Sequence, residues 1–109
     1  MSIGLIIKSN GNIEDYDGEL NPAAISAVLG TTSHKRIPLL HGTTVHVSED
    51  TTLPRNPLAG FLFEIMGSSD DRLITLFHGD VLVAGHINGE DDLPLSPQQE
   101  QVVRVIVNA

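Results

Sequence analysis

The 109-residue chain contains no cysteine, and only six of its residues are lysine or arginine. The absence of cysteine excludes disulfide bonds, thiolate nucleophiles and cysteine-bound zinc, so packing alone must stabilise the fold. The shortage of basic residues argues against a nucleic-acid partner, because affinity for the phosphate backbone comes largely from counterion release by cationic side chains. The 14 acidic residues are scattered and give a formal charge of -8, which favours solubility over mimicry of DNA.

Long hydrophobic runs are also absent. No segment approaches the roughly 20 apolar residues that a membrane-spanning helix needs, and residues 1–4 carry neither the positive charge nor the apolar stretch of a secretory signal. We therefore expect a cytoplasmic protein without a membrane partner. The length and the 40% hydrophobic content are those of one globular unit, which predicts a single domain over residues 1–109.

Two short apolar segments near the N-terminus are separated by a strong turn signal. Ile3, Leu5 and Ile7 occupy alternate positions of the first segment, residues 13–16 form the second, and Asn10-Gly11 lies between them. Asn-Gly is typical of type I′ turns, which need a positive φ at both central residues. The sequence predicts a β-hairpin here.

Three predicted helices begin with the same sequence pattern, a polar capping residue followed by proline. They are Asn21-Pro22, Asn56-Pro57 and Ser96-Pro97, and each combines a side-chain cap with a pre-set first φ angle. Gly30 is expected to end the first helix. Gly60 lies within the second, where glycine costs about 1 kcal/mol relative to alanine. The apolar stripe of the third helix is formed by Val102, Val103, Ile106 and Val107.

Further strands are predicted from short apolar runs bounded by turn residues, at 36–40, 43–48, 73–77 and 81–84. Pro38 cannot donate to a ladder and favours an edge position for the first of these. Residues 87–92 are acidic and rich in turn formers, which predicts a loop. The element order is ββαββαββα, and the predicted fold class is α+β: a small single domain with a mixed, mostly antiparallel sheet and about three short helices.

Histidine is the polar residue type that most suggests chemistry. His78, Asp80 and His86 flank one predicted strand and could converge at its ends, and two imidazoles with a carboxylate can bind zinc or another divalent metal. Their spacing matches no established metal motif. The sequence favours the alternative that they are exposed loop residues.

Catalytic and cofactor signals are otherwise missing. No serine has the glycine-flanked context of a nucleophile elbow, and no glycine-rich loop precedes a helix and a lysine. We predict no catalytic residue, no cofactor and no enzymatic activity. Six residues could bind a ligand or partner. Four are basic and two are aromatic residues of the second helix: Lys35, Arg36, Arg55 and Arg72, with Phe61 and Phe63.

Several segments together resemble an uncharacterised family of small domains of unknown function carried by bacteriophages and mobile elements. They are the N-terminal hairpin, the short helix ending in glycine, Asn56-Pro57-Leu58-Ala59, Gly79-Asp80-Val81-Leu82-Val83-Ala84-Gly85 and Leu95-Ser96-Pro97-Gln98-Gln99. The likeness covers most of the chain. It implies a phage or mobile-element origin and a host bacterial cytoplasm, and it brings no catalytic residues with it.

Three functions are consistent with this sequence. The leading hypothesis is a non-catalytic phage or mobile-element protein that binds and inhibits or modulates a host factor, such as a defence component. The first alternative is an oligomeric sponge for a nucleotide-like ligand, and the second is a metal-dependent enzyme. We also expect a homo-oligomer, since twofold dimers are the commonest soluble assembly, with the strand near Pro38 or the helix bearing Phe61 and Phe63 as the interface.

Overall fold

The computed structural model of the chain describes residues 3–31, 34–39, 42–50, 52–66, 77–87 and 91–108. Within these ranges, six strands and three helices in the order ββαββαββα form an α+β fold. The first six elements follow the predicted order, but the last two strands lie at 81–87 and 91–93 rather than at the predicted 73–77 and 81–84. They are β1 (Gly4–Ile7), β2 (Ile13–Tyr16), α1 (Pro22–Leu29), β3 (His34–Pro38), β4 (Thr43–Ser48), α2 (Pro57–Met66), β5 (Val81–Ile87), β6 (Asp91–Leu93) and α3 (Pro97–Val107). None of these helices is long and apolar enough to cross a membrane.

The strands form one antiparallel sheet in the order β2-β1-β5-β4-β3. β5 lies at its centre. Gly85 pairs with β4 on one side and with β6 on the other, so β6 continues the side that β1 occupies further back along β5. Within the described ranges β3 is a terminal strand of the sheet, which is the edge position that its proline predicts.

Helices cover both faces of the sheet. Alternate residues of β1 point to opposite sides: Leu5 and Ile7 belong to the larger apolar core with residues of α2 and α3, whereas Ile6 belongs to a smaller core with Ile25 and Leu29 of α1. Because side chains along a strand alternate between faces, one strand can serve both cores. The molecule therefore has three layers, with α1 on one side and α2 and α3 on the other.

The predicted first hairpin is confirmed, but the predicted turn type is wrong. The hydrogen bond that closes the turn joins the Gly11 N–H to the Lys8 carbonyl at 2.9 Å, so its central residues are Ser9 and Asn10 rather than Asn10 and Gly11. Gly11 follows with φ 94°. A third loop residue with positive φ is the usual arrangement of three-residue hairpin loops, and glycine adopts it without strain.

The helix caps form as the sequence predicts. The Asn21 side chain accepts a hydrogen bond from the Ala24 N–H, and α1 ends at Gly30 in the left-handed conformation. Ser96 and Gln99 form a reciprocal capping box at the start of α3. These contacts satisfy backbone groups that the first and last turns of a helix leave without partners.

Three boundary predictions need correction. Of the loop predicted at 87–92, Ile87 belongs to β5, and Asp91 and Asp92 form β6 together with Leu93. This happens because β5 extends beyond β1 and leaves backbone groups that a short strand can pair. The strand predicted at 36–40 instead spans His34–Pro38. Of the strand predicted at 73–77, Phe77 lies outside any strand and the rest falls outside the described residues.

Candidate functional site

The proposed metal residues lie at the two ends of the central strand. His78 and Asp80 precede β5, whereas His86 is its sixth residue. At about 3.3 Å per residue, the backbones of Asp80 and His86 are roughly 20 Å apart, too far for side chains of one chain to share an ion. Across the described ranges, no group of three or more histidine or acidic side chains is placed to hold a metal.

His78 and Asp80 instead connect segments of the fold. The His78 Nδ1 atom lies 2.9 Å from the Leu53 carbonyl oxygen, and the Asp80 carboxylate accepts a hydrogen bond of 3.0 Å from the Ser9 N–H. A second oxygen of Asp80 lies 3.7 Å from the Lys8 ammonium. These contacts hold the first hairpin and the segment before α2 against the start of β5.

The predicted cations do not form one cluster. Lys35 and Arg36 are consecutive residues of β3, so their side chains leave opposite faces of the sheet. Arg55 lies just before α2, where its backbone forms an isolated bridge with His78. Arg72 falls outside the described residues. A phosphate site needs several donors around one point, and the placement of Lys35 and Arg36 does not provide it.

The two phenylalanines of α2 have different surroundings. Phe63 is partly buried and packs edge-to-face on Phe77, with ring centroids 5.5 Å apart. Phe61, two residues earlier, is 40% exposed. Of the two rings predicted to bind a ligand or partner, Phe61 is therefore the more accessible.

Phe61 and Arg55 both line a cavity over the first turns of α2, which we call the Arg55 cavity. Its volume is about 380 Å³, and its lining includes Gly60, Glu64 and Phe77. Asn56 also borders it, but its side chain is fully engaged: its amide nitrogen donates to the Ile7 and Gly79 carbonyls, and its oxygen caps α2 through the Ala59 N–H. Among the described lining residues, the charged side chains of Arg55 and Glu64 can therefore contact a ligand.

A second concave surface lies on α3. Val102 and Val105 are 40% and 63% exposed, although valine is usually buried. With Gln98, Gln101 and Ile106 they line a depression of about 390 Å³ that contains no charged residue. We call these five residues the α3 stripe. The predicted apolar stripe of this helix is thus correct for the buried Val103 and Val107, whereas Val102 faces outward.

One polar arrangement, on the α1 side of the sheet, is not predicted by the sequence. The Ser26 hydroxyl and the His34 Nδ1 atom are 2.7 Å apart, and the His34 ring packs edge-to-face on the fully buried His46 ring, with centroids 5.5 Å apart. Serine and histidine are the residue types of nucleophilic catalysis. Ser26 lies in the middle of α1, and no local sequence signal links residues of a helix and a following strand.

The pKa values of Asp50 and Tyr16 are displaced from their usual values. Hydrogen bonds from the hydroxyl and the N–H of Thr52 hold the pKa of Asp50 below its usual value. Burial, with the nearby carboxylates of Glu19 and Asp17, raises the pKa of Tyr16 above its usual 10.0. Neither group lies in the Arg55 cavity or the α3 stripe, so both shifts reflect local folding contacts.

Comparison of the chain with models of known families, with curated proteins and with solved structures gave no match.

Proposed function

We propose that this chain is a non-catalytic binding domain and that the α3 stripe is its contact with a host protein. The observation that carries the proposal is the exposure of Val102 and Val105 on the outer face of α3, within a depression that has no charged lining residue. Exposed apolar surface grouped at one place marks interaction sites on soluble proteins. A few residues that become buried at the centre of an interface supply most of its binding energy.

The negative charge of the chain indicates the charge of its partner. A domain with a formal charge of -8 surrounds an uncharged stripe with a negative field. A partner that presents an apolar anchor within a basic rim would be steered toward this surface, because complementary charge raises association rates and disfavours acidic competitors. The resemblance to phage and mobile-element domains makes host factors in the bacterial cytoplasm, with defence components first, the class to test.

The two alternative functions have less support. The sponge hypothesis needs converging cations, and consecutive positions on β3 direct Lys35 and Arg36 to opposite faces of the sheet. The metal-enzyme hypothesis needs His78, Asp80 and His86 around one ion. His78 and Asp80 precede β5, whereas His86 lies near its other end. Both remain testable by nucleotide titration and by metal analysis of the purified protein.

The test is affinity capture from bacterial lysates with matched variants. Val105→Glu introduces a charge into the α3 stripe, and Ala23→Glu adds the same charge at an exposed residue of α1 on the opposite layer. We expect the unmodified protein and Ala23→Glu to capture the same protein, and Val105→Glu to lose it by tenfold or more, as for an interface hot spot. Equal capture by both variants, or no specific capture from any host, would contradict the proposal.

A further inference from the structure

We propose that the Arg55 cavity is a binding site for a small zwitterion with an apolar body, of which L-phenylalanine is the simplest probe. The site lies on the outer side of α2 and shares no lining residue with the α3 stripe. It is therefore independent of the protein contact proposed above.

The charged side chains of the cavity determine which ligand charges it accepts. Arg55 and Glu64 line the same cavity, and neither forms an ion pair or side-chain hydrogen bond within the described residues. A guanidinium offers paired donors to a carboxylate, and a carboxylate accepts from an ammonium group. A ligand with both charges can satisfy both residues. A polyanion such as a nucleotide would meet Glu64 with like charge.

The apolar walls determine the body of the ligand. The Phe61 ring is partly exposed at the cavity, while Phe77 is buried and forms a fixed wall held by its contact with Phe63. Aromatic walls favour a flat or branched apolar group, which gains by leaving water. A volume of about 380 Å³ is near the lower end of small-molecule sites, so the ligand should be of amino-acid rather than cofactor size.

Gly60 leaves the cavity open. A Cβ atom built on Gly60 meets no heavy atom within 4 Å beyond its two chain neighbours and the backbone of its own helix. Glycine in a helix interior costs about 1 kcal/mol relative to alanine, and packing against a neighbouring element does not require it here. A larger side chain at this position would occupy the space that the ligand needs without clashing with the core.

The test is titration of the ¹⁵N-labelled protein with L-phenylalanine, monitored by amide chemical shifts. We expect saturable shifts for residues 55–64 and for Phe77. N-acetyl-phenylalanine, which lacks the ammonium group, and phenylalaninamide, which lacks the carboxylate, should each bind about tenfold more weakly, since each loses a charge-assisted hydrogen bond. Absence of saturable shifts in this region, or equal affinity for all three compounds, would overturn the proposal.

Two substitutions at Gly60 make the test specific. Gly60→Leu should abolish the shifts by filling the cavity, whereas Gly60→Ala should bind L-phenylalanine within about twofold of the unmodified protein. Thermal unfolding of both variants checks that they are folded.

Substitution of the charged residues tests the recognition of the ligand charges. Arg55→Gln and Glu64→Gln, both at exposed positions, should weaken binding about tenfold each. If the folded Gly60→Leu protein binds as well as Gly60→Ala, the ligand lies elsewhere and the assignment fails.

Discussion

Asn21 and Asn56 begin two helices with the same Asn-Pro sequence, and we predict that they contribute very differently to stability. Both side-chain oxygens cap a helix, through the N–H of Ala24 and of Ala59. Loss of such a cap costs about 1 kcal/mol. The Asn56 amide nitrogen also donates two buried hydrogen bonds, to Ile7 and Gly79, and each carbonyl left without a partner costs a further 1–3 kcal/mol or so.

The expected result is a loss of about 3–7 kcal/mol for Asn56→Ala and about 1 kcal/mol for Asn21→Ala. With an m value of about 1.5 kcal/mol/M, the urea midpoint falls by roughly 2 M or more in the first case and by about 0.7 M in the second. Far-UV circular dichroism is the suitable probe, because the chain contains no tryptophan.

Aspartate at the same two positions separates capping from donation. Aspartate caps a helix as well as asparagine does. The hydrogen bond that Asn21→Asp loses joins the Asn21 amide nitrogen to the exposed Glu19 carboxylate at 2.7 Å, where water screens the new pair of like charges, so the urea midpoint should fall only slightly. Asn56→Asp keeps the acceptor but removes both donors and brings a carboxylate against two carbonyl oxygens, so it should be about as destabilising as Asn56→Ala. Equal midpoints for Asn21→Asp and Asn56→Asp would refute the reasoning.

Three further outcomes are expected. Gly4→Ala should lower the free energy of unfolding by about 1–3 kcal/mol in urea titration, because its Cβ would lie 2.7 Å from the Val83 carbonyl oxygen in the paired strand; an unchanged midpoint would show that the strands separate freely. Burial raises the pKa of Tyr16, so the folded state holds the phenol proton more tightly than the unfolded chain, and stability should fall as the pH rises above about 10. Since Tyr16 is the only tyrosine, absorbance titration reports it directly, and a midpoint at or below 10 would contradict this. Light scattering should give a multiple of the 11.7 kDa chain mass at high concentration; a monomer would refute the predicted homo-oligomer.

Local signals explain the parts of the fold that the sequence predicts well. A cap, a proline at the first helical position and a terminal glycine act within a few residues, so the starts of α1, α2 and α3 and the end of α1 follow from Asn21, Asn56, Ser96 and Gly30. The strand pattern of β4 is local in the same sense. Such features need no knowledge of distant neighbours.

The remaining features depend on contacts between distant segments. β6 forms because β5 offers unpaired backbone groups, although Asp91 and Asp92 are typical of a loop. Apolar residues cover a wide arc of α3, so their spacing does not show that Val103 faces the core while Val102 is exposed. Gly60 indicates a weak helix in the sequence, whereas in the fold it keeps the Arg55 cavity open.

The most direct measurement of the central proposal is site-specific photo-crosslinking inside a bacterial host. A photoreactive amino acid replaces Val105 at the centre of the α3 stripe, and Ala23 on the opposite layer in a matched control. The binding-domain account predicts one dominant adduct with a host protein from position 105, absent from position 23 and lost when Val102→Glu is added. Crosslinking that is equally weak or equally diffuse at both positions would contradict the account.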